Sequence, residues 1–293
     1  MFEQCRKNQF KCYNEARRYF VKNFEKLIQI EEFCMEVLSS FIEQNYDGIK
    51  RDYNEASLLY PFWQNYPPED RGRKPKGDQF PWIEVGEHVF CSKISRFLSK
   101  SFDIRDSGLP TGPDDRYIIS SREIYKILGI TNSIWLFIDI KSVGPRDDQD
   151  HTVMSHNQIS GNGKWTEVKS GVENDIMIAK GQRVTHQFHC AIPPVFVLSD
   201  ETIVPVIHIV LKPVYKMLGL THEEKGQPLD RVTLASIPNG LLLTDNPNYL
   251  RIFPGLLFPG KDDKEKDPRK VRARISFEIL RQIAEWRYKD FSF

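Results

Sequence analysis

The sequence predicts an α/β protein with a mixed central β-sheet flanked by helices. Apolar side chains recur at helical spacing in residues 8–45, and residues 133–141 form a nearly continuous apolar run. Two β-branched segments, 195–198 and 203–211, are separated by a short polar turn. Amphipathic helices together with buried and hairpin-paired strands predict a sheet covered by helices.

The helical and loop segments follow from side-chain type and proline content. Residues 8–45 lack proline and predict two amphipathic helices. Residues 61–81 hold five prolines among basic side chains and predict a loop, which is either solvated or in contact with a phosphate backbone. A helix is expected over 82–99 and a short strand over 117–119, and loops with short strands are expected over 145–189.

The strand predictions place one strand inside the sheet and pair two others. Residues 133–141 are apolar on both alternating faces until Asp139, as in a strand buried on both sides. Segments 195–198 and 203–211 predict a hairpin, and Pro205 predicts an edge or a bulge in its second strand. No repeat, low-complexity tract or clear linker occurs, so one domain over 1–293 is expected, with a helical part over 1–60 and the remaining segments over 61–293.

Composition excludes several classes of protein. The 293 residues include 41 Lys and Arg and 40 Asp and Glu, and this balance excludes a polycationic protein but not local basic clusters. No apolar run reaches the roughly 18 residues of a membrane span, and residues 1–7 lack the apolar segment of a secretory signal. The five cysteines are odd in number and widely spaced, which predicts reduced thiols in a cytoplasmic protein without a membrane partner.

The most informative polar residues are Asp139 and Lys141, at the end of the predicted inner strand. Side chains alternate along a strand, so both project from the face opposite Ile140. If the turn at Asp114 leads into a neighbouring strand, a second carboxylate lies beside Asp139. Two carboxylates and the Ile140 carbonyl are hard oxygen ligands that suit Mg²⁺, and Lys141 could then hold a phosphate oxygen. The pattern is typical of metal-dependent nucleases, while the alternative is a surface salt bridge between Asp139 and Lys141.

Two further clusters hold side chains that could bind a ligand. His186, His189 and Cys190 lack a fourth ligand at zinc spacing and are interpreted as structural groups. The segment 269–274 contains four basic residues and no acidic one, and Arg272 and Arg274 share a face if it forms a strand. It ends the longer stretch 261–274, whose mixed Lys, Asp and Arg side chains suit G·C pairs in the major groove, and a charged, solvated loop is the alternative.

Longer stretches resemble one family. They include Gly108-Leu-Pro-Thr-Gly-Pro-Asp114 and Asp139-Ile-Lys-Ser-Val-Gly-Pro-Arg-Asp147, and further stretches at 52–56, 61–68, 75–78, 81–87, 160–163, 235–240 and 259–263. On these residues the sequence resembles the BglI-type restriction endonucleases of the PD-(D/E)xK nuclease family. The resemblance is weak over the first fifty and last fifteen residues, and the 125–134 stretch is one residue shorter than in the family.

The resemblance implies a restriction-endonuclease-like nuclease core and a homodimer that cleaves both strands of double-stranded DNA with Mg²⁺. The implied target is an interrupted palindrome of the GCC-N5-GGC type, cut to 5′-phosphate and 3′-hydroxyl ends with 3′ overhangs and without a nucleotide cofactor. The implied metal and catalytic set is Asp114, Asp139, Ile140, Lys141 and Glu87, with Glu84 as the alternative acidic residue. The implied base-contacting set is Lys261, Asp263, Arg272 and Arg274.

Two other functions stay open on the sequence. One is a sequence-specific DNA-binding protein that has lost catalysis, although Asp114, Asp139 and Lys141 are all present. The other is a structure-selective repair nuclease of the same fold, which would have no use for a set of base-contacting residues.

Overall fold

The computed structural model describes residues 2–65, 82–106, 108, 112–144, 149–167, 171–172, 176–181, 185–216, 228–259 and 272–293. The helices are α1 (Phe2–Lys22), α2 (Phe24–Gln44), α3 (Tyr46–Asn65), α4 (Trp82–Leu98), α5 (Arg122–Leu128), α6 (Gly240–Thr244), α7 (Tyr249–Ile252) and α8 (Phe277–Ile283). The strands are β1 (Asp103–Asp106), β2 (Asp115–Ser120), β3 (Ser133–Ile140), β4 (His151–Met154), β5 (Trp165–Glu167), β6 (Gly171–Val172), β7 (Ile176–Lys180), β8 (Thr185–His189), β9 (Val195–Val197), β10 (Ile203–Tyr215), β11 (Leu229–Ile237), β12 (Leu257–Pro259), β13 (Ala273–Ser276) and β14 (Tyr288–Ser292).

A mixed sheet forms the centre of the described structure and confirms the predicted fold class. Its strand order is β1-β2-β3-β10-β11-β14, and β9 also pairs with β10. β3 and β10 run parallel, whereas the other neighbours are antiparallel. Helix α2 packs on β10 and β11, and α8 packs on β11. A smaller sheet of order β12-β13-β4 lies apart from the central one.

Both faces of β3 are buried, as predicted for an inner strand. Ile134, Leu136 and Ile138 belong to the main core. Trp135 and Phe137 point to the other face and join a second apolar cluster. Side chains alternate along a strand, so Asp139 lies on the same face as Trp135 and Phe137.

Helix α5 makes the connection that sets β3 beside β2. The Ser121 hydroxyl accepts a hydrogen bond from the Ile124 N–H and caps the first turn. Gly129 ends the helix with φ 78°, a left-handed conformation that glycine adopts without strain. The short helix therefore reverses the chain, and β3 returns antiparallel to β2.

The predicted hairpin over 195–198 and 203–211 is confirmed as β9 and β10. Pro205 lies in the section of β10 that pairs with β9 but not with β3 or β11, so its missing N–H stands outside the central ladders. The helices predicted over 8–45 and 82–99 are also confirmed, as are the short strands within 145–189.

The loop predicted over 61–81 is wrong at its start, because helix α3 continues to Asn65. Pro61 removes one helical hydrogen bond and crowds the preceding turn, and α3 nevertheless continues past it. Residues 66–81 lie outside the described residues. The division of one domain into 1–60 and 61–293 stays a prediction.

A buried ion pair joins helix α2 to the 3₁₀ turn that directly precedes β14. Glu31 of α2 accepts a hydrogen bond at 2.7 Å from the Arg287 guanidinium, and both side chains are fully buried. Glu31 also accepts a hydrogen bond at 2.7 Å from the Asn239 N–H. The Asn239 amide in turn donates to the carbonyls of Pro194 and Val206. This network ties α2, the β9–β10 region and the end of β11 together.

None of the helices in the described ranges is both long and apolar enough to span a lipid bilayer.

Candidate active site

The site lies where β2 begins and β3 ends. Asp114 directly precedes β2, and β2 pairs with β3 so that Asp115 stands opposite Ile138. Asp114 therefore falls beside Asp139, as expected if its turn led into a neighbouring strand. Its Oδ2 accepts a hydrogen bond from the Ile140 N–H at 2.7 Å, which continues the strand pairing by one step.

The Ile140 carbonyl faces the same side as Asp114. The Lys141 N–H donates to the Leu211 carbonyl at 2.9 Å, so the backbone of Lys141 is directed towards β10. Backbone groups alternate between the two neighbours of a strand, and the N–H and C=O of Ile140 are therefore both directed towards β2. This orientation fits the predicted role of the Ile140 carbonyl as an oxygen ligand beside Asp114.

Asp139 and Lys141 share one face, as predicted, and they are not a surface salt bridge. The Asp139 side chain is 1% exposed, and its Oδ1 lies 3.0 Å from the Lys141 Nζ. Lys141 is 27% exposed, so its ammonium group lies between the buried carboxylate and solvent. Lys141 can therefore contact a ligand that approaches from outside while it neutralises Asp139.

Gln158 completes the surroundings of Asp139, and the sequence did not indicate it. Its Nε2 donates to Asp139 Oδ1 at 2.7 Å, and its Oε1 accepts from the Ser155 N–H at 2.9 Å. Gln158 lies in the polar 145–189 region, two residues before the 160–163 stretch, but is not itself part of a recognised motif. Only the tertiary fold brings this amide to the end of β3.

The second carboxylate oxygen of Asp139 has no protein partner within the described part of the chain. Asp139 Oδ2 is buried and makes no hydrogen bond there. A buried carboxylate oxygen without a partner is costly, because desolvation is not compensated. Burial raises the pKa of Asp139 to about 6, opposed by the ammonium of Lys141, while the negative charges of Asp114 and Glu87 raise it further.

Helix α4 brings Glu87 to this site. A Cβ at the preceding Gly86 would stand 2.1 Å from the Ser142 Oγ and 3.0 Å from the Tyr53 Oη, so the helix packs closely against the end of β3. The negative charge of Glu87 raises the pKa of both Asp139 and the Cys91 thiol. In each case burial is the largest cause, and neighbouring aspartates contribute more than Glu87 does. Its carboxylate thus belongs to the same negatively charged region. The Glu84 side chain lies outside the described residues.

This donor set fits a divalent cation. Asp139 Oδ2 is a buried anionic oxygen without a hydrogen-bond partner among the described residues, and a bound cation would stabilise it. Asp114 and the Ile140 carbonyl add hard oxygens on the adjoining side, and such oxygens are the ligands that Mg²⁺ prefers. Within the described ranges no three His, Cys, Asp or Glu side chains converge on a metal position, so the zinc alternative at His186, His189 and Cys190 gains no support. Two carboxylates and a carbonyl also leave coordination positions for water, as Mg²⁺ requires.

The predicted base-contacting residues are only partly described. Arg274 lies in β13, between Phe258 of β12 and Val153 of β4, and is half-buried. Arg272 directly precedes β13 and is exposed. Lys261 and Asp263 lie outside the described residues. Arg274 thus belongs to the smaller sheet, whereas the carboxylates belong to the central one.

A mixed sheet with two carboxylates and a lysine at the adjoining ends of two strands defines the class of restriction-endonuclease-like nucleases. Comparisons with known proteins agree. The family model "Restriction endonuclease BglI" matches residues 8–291. The chain therefore belongs to the BglI family of restriction endonucleases. The match includes most of the first fifty and last fifteen residues, where the sequence resemblance was weak.

Individual relatives give the same result. The type II restriction enzyme BglI of Bacillus subtilis is 46% identical over 288 residues, which cover 97% of this chain and 96% of the relative. The crystal structure of the restriction endonuclease BglI bound to its DNA recognition sequence matches with a TM-score of 0.90 and 44% identity, covering 100% of this chain and 99% of that one. The tetrameric restriction endonuclease SfiI bound to cognate DNA has a TM-score of 0.61 at 12% identity over 92% of this chain and 85% of that one, which shows a shared fold.

Proposed function

We propose that this protein is a homodimeric type II restriction endonuclease that uses Mg²⁺ to cleave both strands of DNA at an interrupted palindrome with GCC and GGC half-sites. The observation that carries the proposal is the buried Asp139 Oδ2, which has no hydrogen-bond partner among the described residues and lies beside Asp114 and Lys141. The family supplies sequence-specific DNA cleavage as the activity. The ends expected are 5′-phosphate and 3′-hydroxyl, with 3′ overhangs.

Each residue has a distinct task in phosphodiester hydrolysis. Asp114, Asp139 and the Ile140 carbonyl would hold Mg²⁺, and Glu87 adds negative charge close to them. When bound, Mg²⁺ polarises the scissile phosphate and activates water. Lys141 stabilises the charge that builds on the phosphate oxygens, because its ammonium is fixed by Asp139 and reaches solvent. Water attacks the phosphorus in line with the 3′ oxygen, which is the leaving group.

A homodimer follows from the symmetry of the target. Two copies related by a two-fold axis place one catalytic site on each strand and one set of base contacts on each half-site. Arg272 and Arg274 would contact G·C pairs in the major groove together with Lys261 and Asp263. The GCC-N5-GGC spacing then depends on the distance between the two copies.

Digestion of a plasmid of known sequence tests the proposal, with Asp139→Ala as the matched control. We expect discrete fragments ending at GCC…GGC sites in Mg²⁺, no cleavage in EDTA, and no cleavage by the variant. A smear would contradict the proposed specificity and favour a repair nuclease. Tight binding without cleavage by the unaltered protein would contradict catalysis and favour a DNA-binding protein.

A further inference from the structure

Gln158 is held at both ends of its amide group, which fixes the orientation of that group. Its backbone N–H donates to the Ser155 carbonyl at 2.9 Å, and its Oε1 accepts from the Ser155 N–H at 2.9 Å. Its Nε2 then donates to Asp139 Oδ1 at 2.7 Å. A flipped amide would direct its oxygen at the carboxylate and its NH₂ at an N–H donor, so one orientation is strongly favoured.

The segment that carries Gln158 is anchored by strand pairing. Ser155 directly follows β4, and β4 pairs with β13 through residues 151–154. The amide that reaches Asp139 therefore projects from a turn whose N-terminal side is fixed in the β12-β13-β4 sheet. Its position is set by a paired backbone before any ligand binds.

The contacts of Asp139 divide unevenly between its two oxygens. Oδ1 accepts from Gln158 at 2.7 Å and lies 3.0 Å from the Lys141 Nζ, while Oδ2 has no hydrogen-bond partner in the described structure. A carboxylate free to rotate about its Cβ–Cγ bond could exchange the two oxygens. A donor fixed on one oxygen prevents that exchange and keeps the other available.

We infer that Gln158 is a positioning residue for the metal site: its amide orients Asp139 so that Oδ2 faces the divalent cation. The inference rests on the proposed function, because it assumes that Asp139 is a metal ligand. Groups that hydrogen-bond to metal ligands set ligand orientation, and their loss commonly weakens metal binding or activity about 10- to 100-fold. Gln158 acts in this way without touching the metal or the DNA.

The test compares Gln158→Met with the parent protein and with Gln187→Met, an exposed glutamine on β8 that serves as the matched control. Binding of Mn²⁺ to DNA-free protein is followed through the EPR signal of the free ion, which does not depend on cleavage. We expect about 10- to 100-fold weaker Mn²⁺ binding for Gln158→Met and no change for Gln187→Met. Mn²⁺ affinity of Gln158→Met within twofold of the parent would overturn the inference.

A second variant separates positioning from support of the turn. Gln158→Glu keeps an oxygen for the Ser155 N–H but replaces the donor to Asp139 with an acceptor. A role confined to the turn would leave its cleavage rate at saturating Mg²⁺ unchanged, and that result would overturn the inference. We expect a fall of at least about tenfold in that rate, and the added carboxylate beside buried Asp139 should also lower the urea unfolding midpoint in EDTA.

Asp139→Ala distinguishes failure of this inference from failure of the proposed metal site. If Asp139→Ala loses Mn²⁺ binding while Gln158→Met retains it, the metal site stands and the positioning role of Gln158 is overturned. If Asp139→Ala binds Mn²⁺ as the parent does, the proposed metal site itself is wrong. Loss of Mn²⁺ binding in both variants, with Gln187→Met unchanged, supports both.

Discussion

Replacement of Asp139 by asparagine should stabilise the DNA-free protein while it abolishes cleavage. Asparagine has nearly the same size and can still accept the hydrogen bond from Gln158, but it carries no charge. The ionised form of Asp139 is disfavoured in the folded protein by burial and by the charges of Asp114 and Glu87, against the favourable charge of Lys141. The variant removes that unfavourable charge together with the proposed metal ligand.

The size of the effect follows from the pKa of Asp139, which is raised from 3.8 to about 6. One pKa unit corresponds to about 1.4 kcal/mol, so the ionised carboxylate costs the folded state about 3 kcal/mol. Between the two pKa values the folded protein binds the proton more tightly than the unfolded chain, so the stability of the parent rises as the pH falls. The advantage of Asp139→Asn should therefore be about 3 kcal/mol near pH 7.5 and roughly half as large near pH 5, and it should vanish below the unfolded pKa.

Urea unfolding in EDTA measures this difference. The exposed Asp103 of β1 provides the control, because Asp103→Asn should change the free energy of unfolding by less than about 0.5 kcal/mol. Addition of Mg²⁺ should stabilise the parent by mass action and leave Asp139→Asn unchanged. If Asp139→Asn is no more stable than the parent at either pH in EDTA, the argument from an unfavourable buried charge is refuted.

Three further substitutions test the site and the fold. Lys141→Met should lower the single-turnover cleavage rate about 10²- to 10³-fold and leave DNA binding in Ca²⁺ nearly intact, because it removes charge stabilisation of the transition state. Arg287→Ala should lower the free energy of unfolding by about 3–5 kcal/mol in urea, since Glu31 is then buried without a cation. Gly86→Ala should lower both stability, by about 1–3 kcal/mol, and cleavage, because its methyl group would stand 2.1 Å from the Ser142 Oγ.

Control variants accompany these three predictions. Gly48→Ala in helix α3 should be neutral or stabilising by about 0.5–1 kcal/mol, because its Cβ would meet only the Lys93 Cε at 4.0 Å. Replacing Glu31 and Arg287 together by apolar residues should recover much of the stability lost in Arg287→Ala. Parent-like stability of Gly86→Ala, or parent-like cleavage by Lys141→Met, would contradict the respective argument.

The strand that carries Asp139 could be predicted from the sequence because its signal is local. The apolar run before Asp139 required burial on both faces, and alternation then put Lys141 on the face of Asp139, as observed at 3.0 Å. The proximity of Asp114 also followed from chain order, once its turn led into a strand beside β3. These predictions needed no knowledge of distant segments.

The remaining features depend on contacts that a single sequence does not encode locally. Gln158 is one amide in a polar region, and its bond to Asp139 exists only because the β4 end is brought to β3. Glu31 and Arg287 lie in separate elements with no pattern that links them. The continuation of α3 to Asn65 does not follow from the sequence, because a proline inside a helix usually kinks or ends it at a cost of about 3 kcal/mol.

The Glu31–Arg287 pair also has a consequence for synthesis of the enzyme. During translation helix α2 leaves the ribosome early. Arg287, which directly precedes β14, is added much later. Until Arg287 has been added, Glu31 lacks the cation that it pairs with in the folded core. Burial of an unpaired carboxylate costs several kcal/mol. Helix α2 therefore cannot pack on β10 and β11 in its final form before Arg287 has been synthesised. Docking of α2 thus depends on a residue that lies 256 positions later in the sequence.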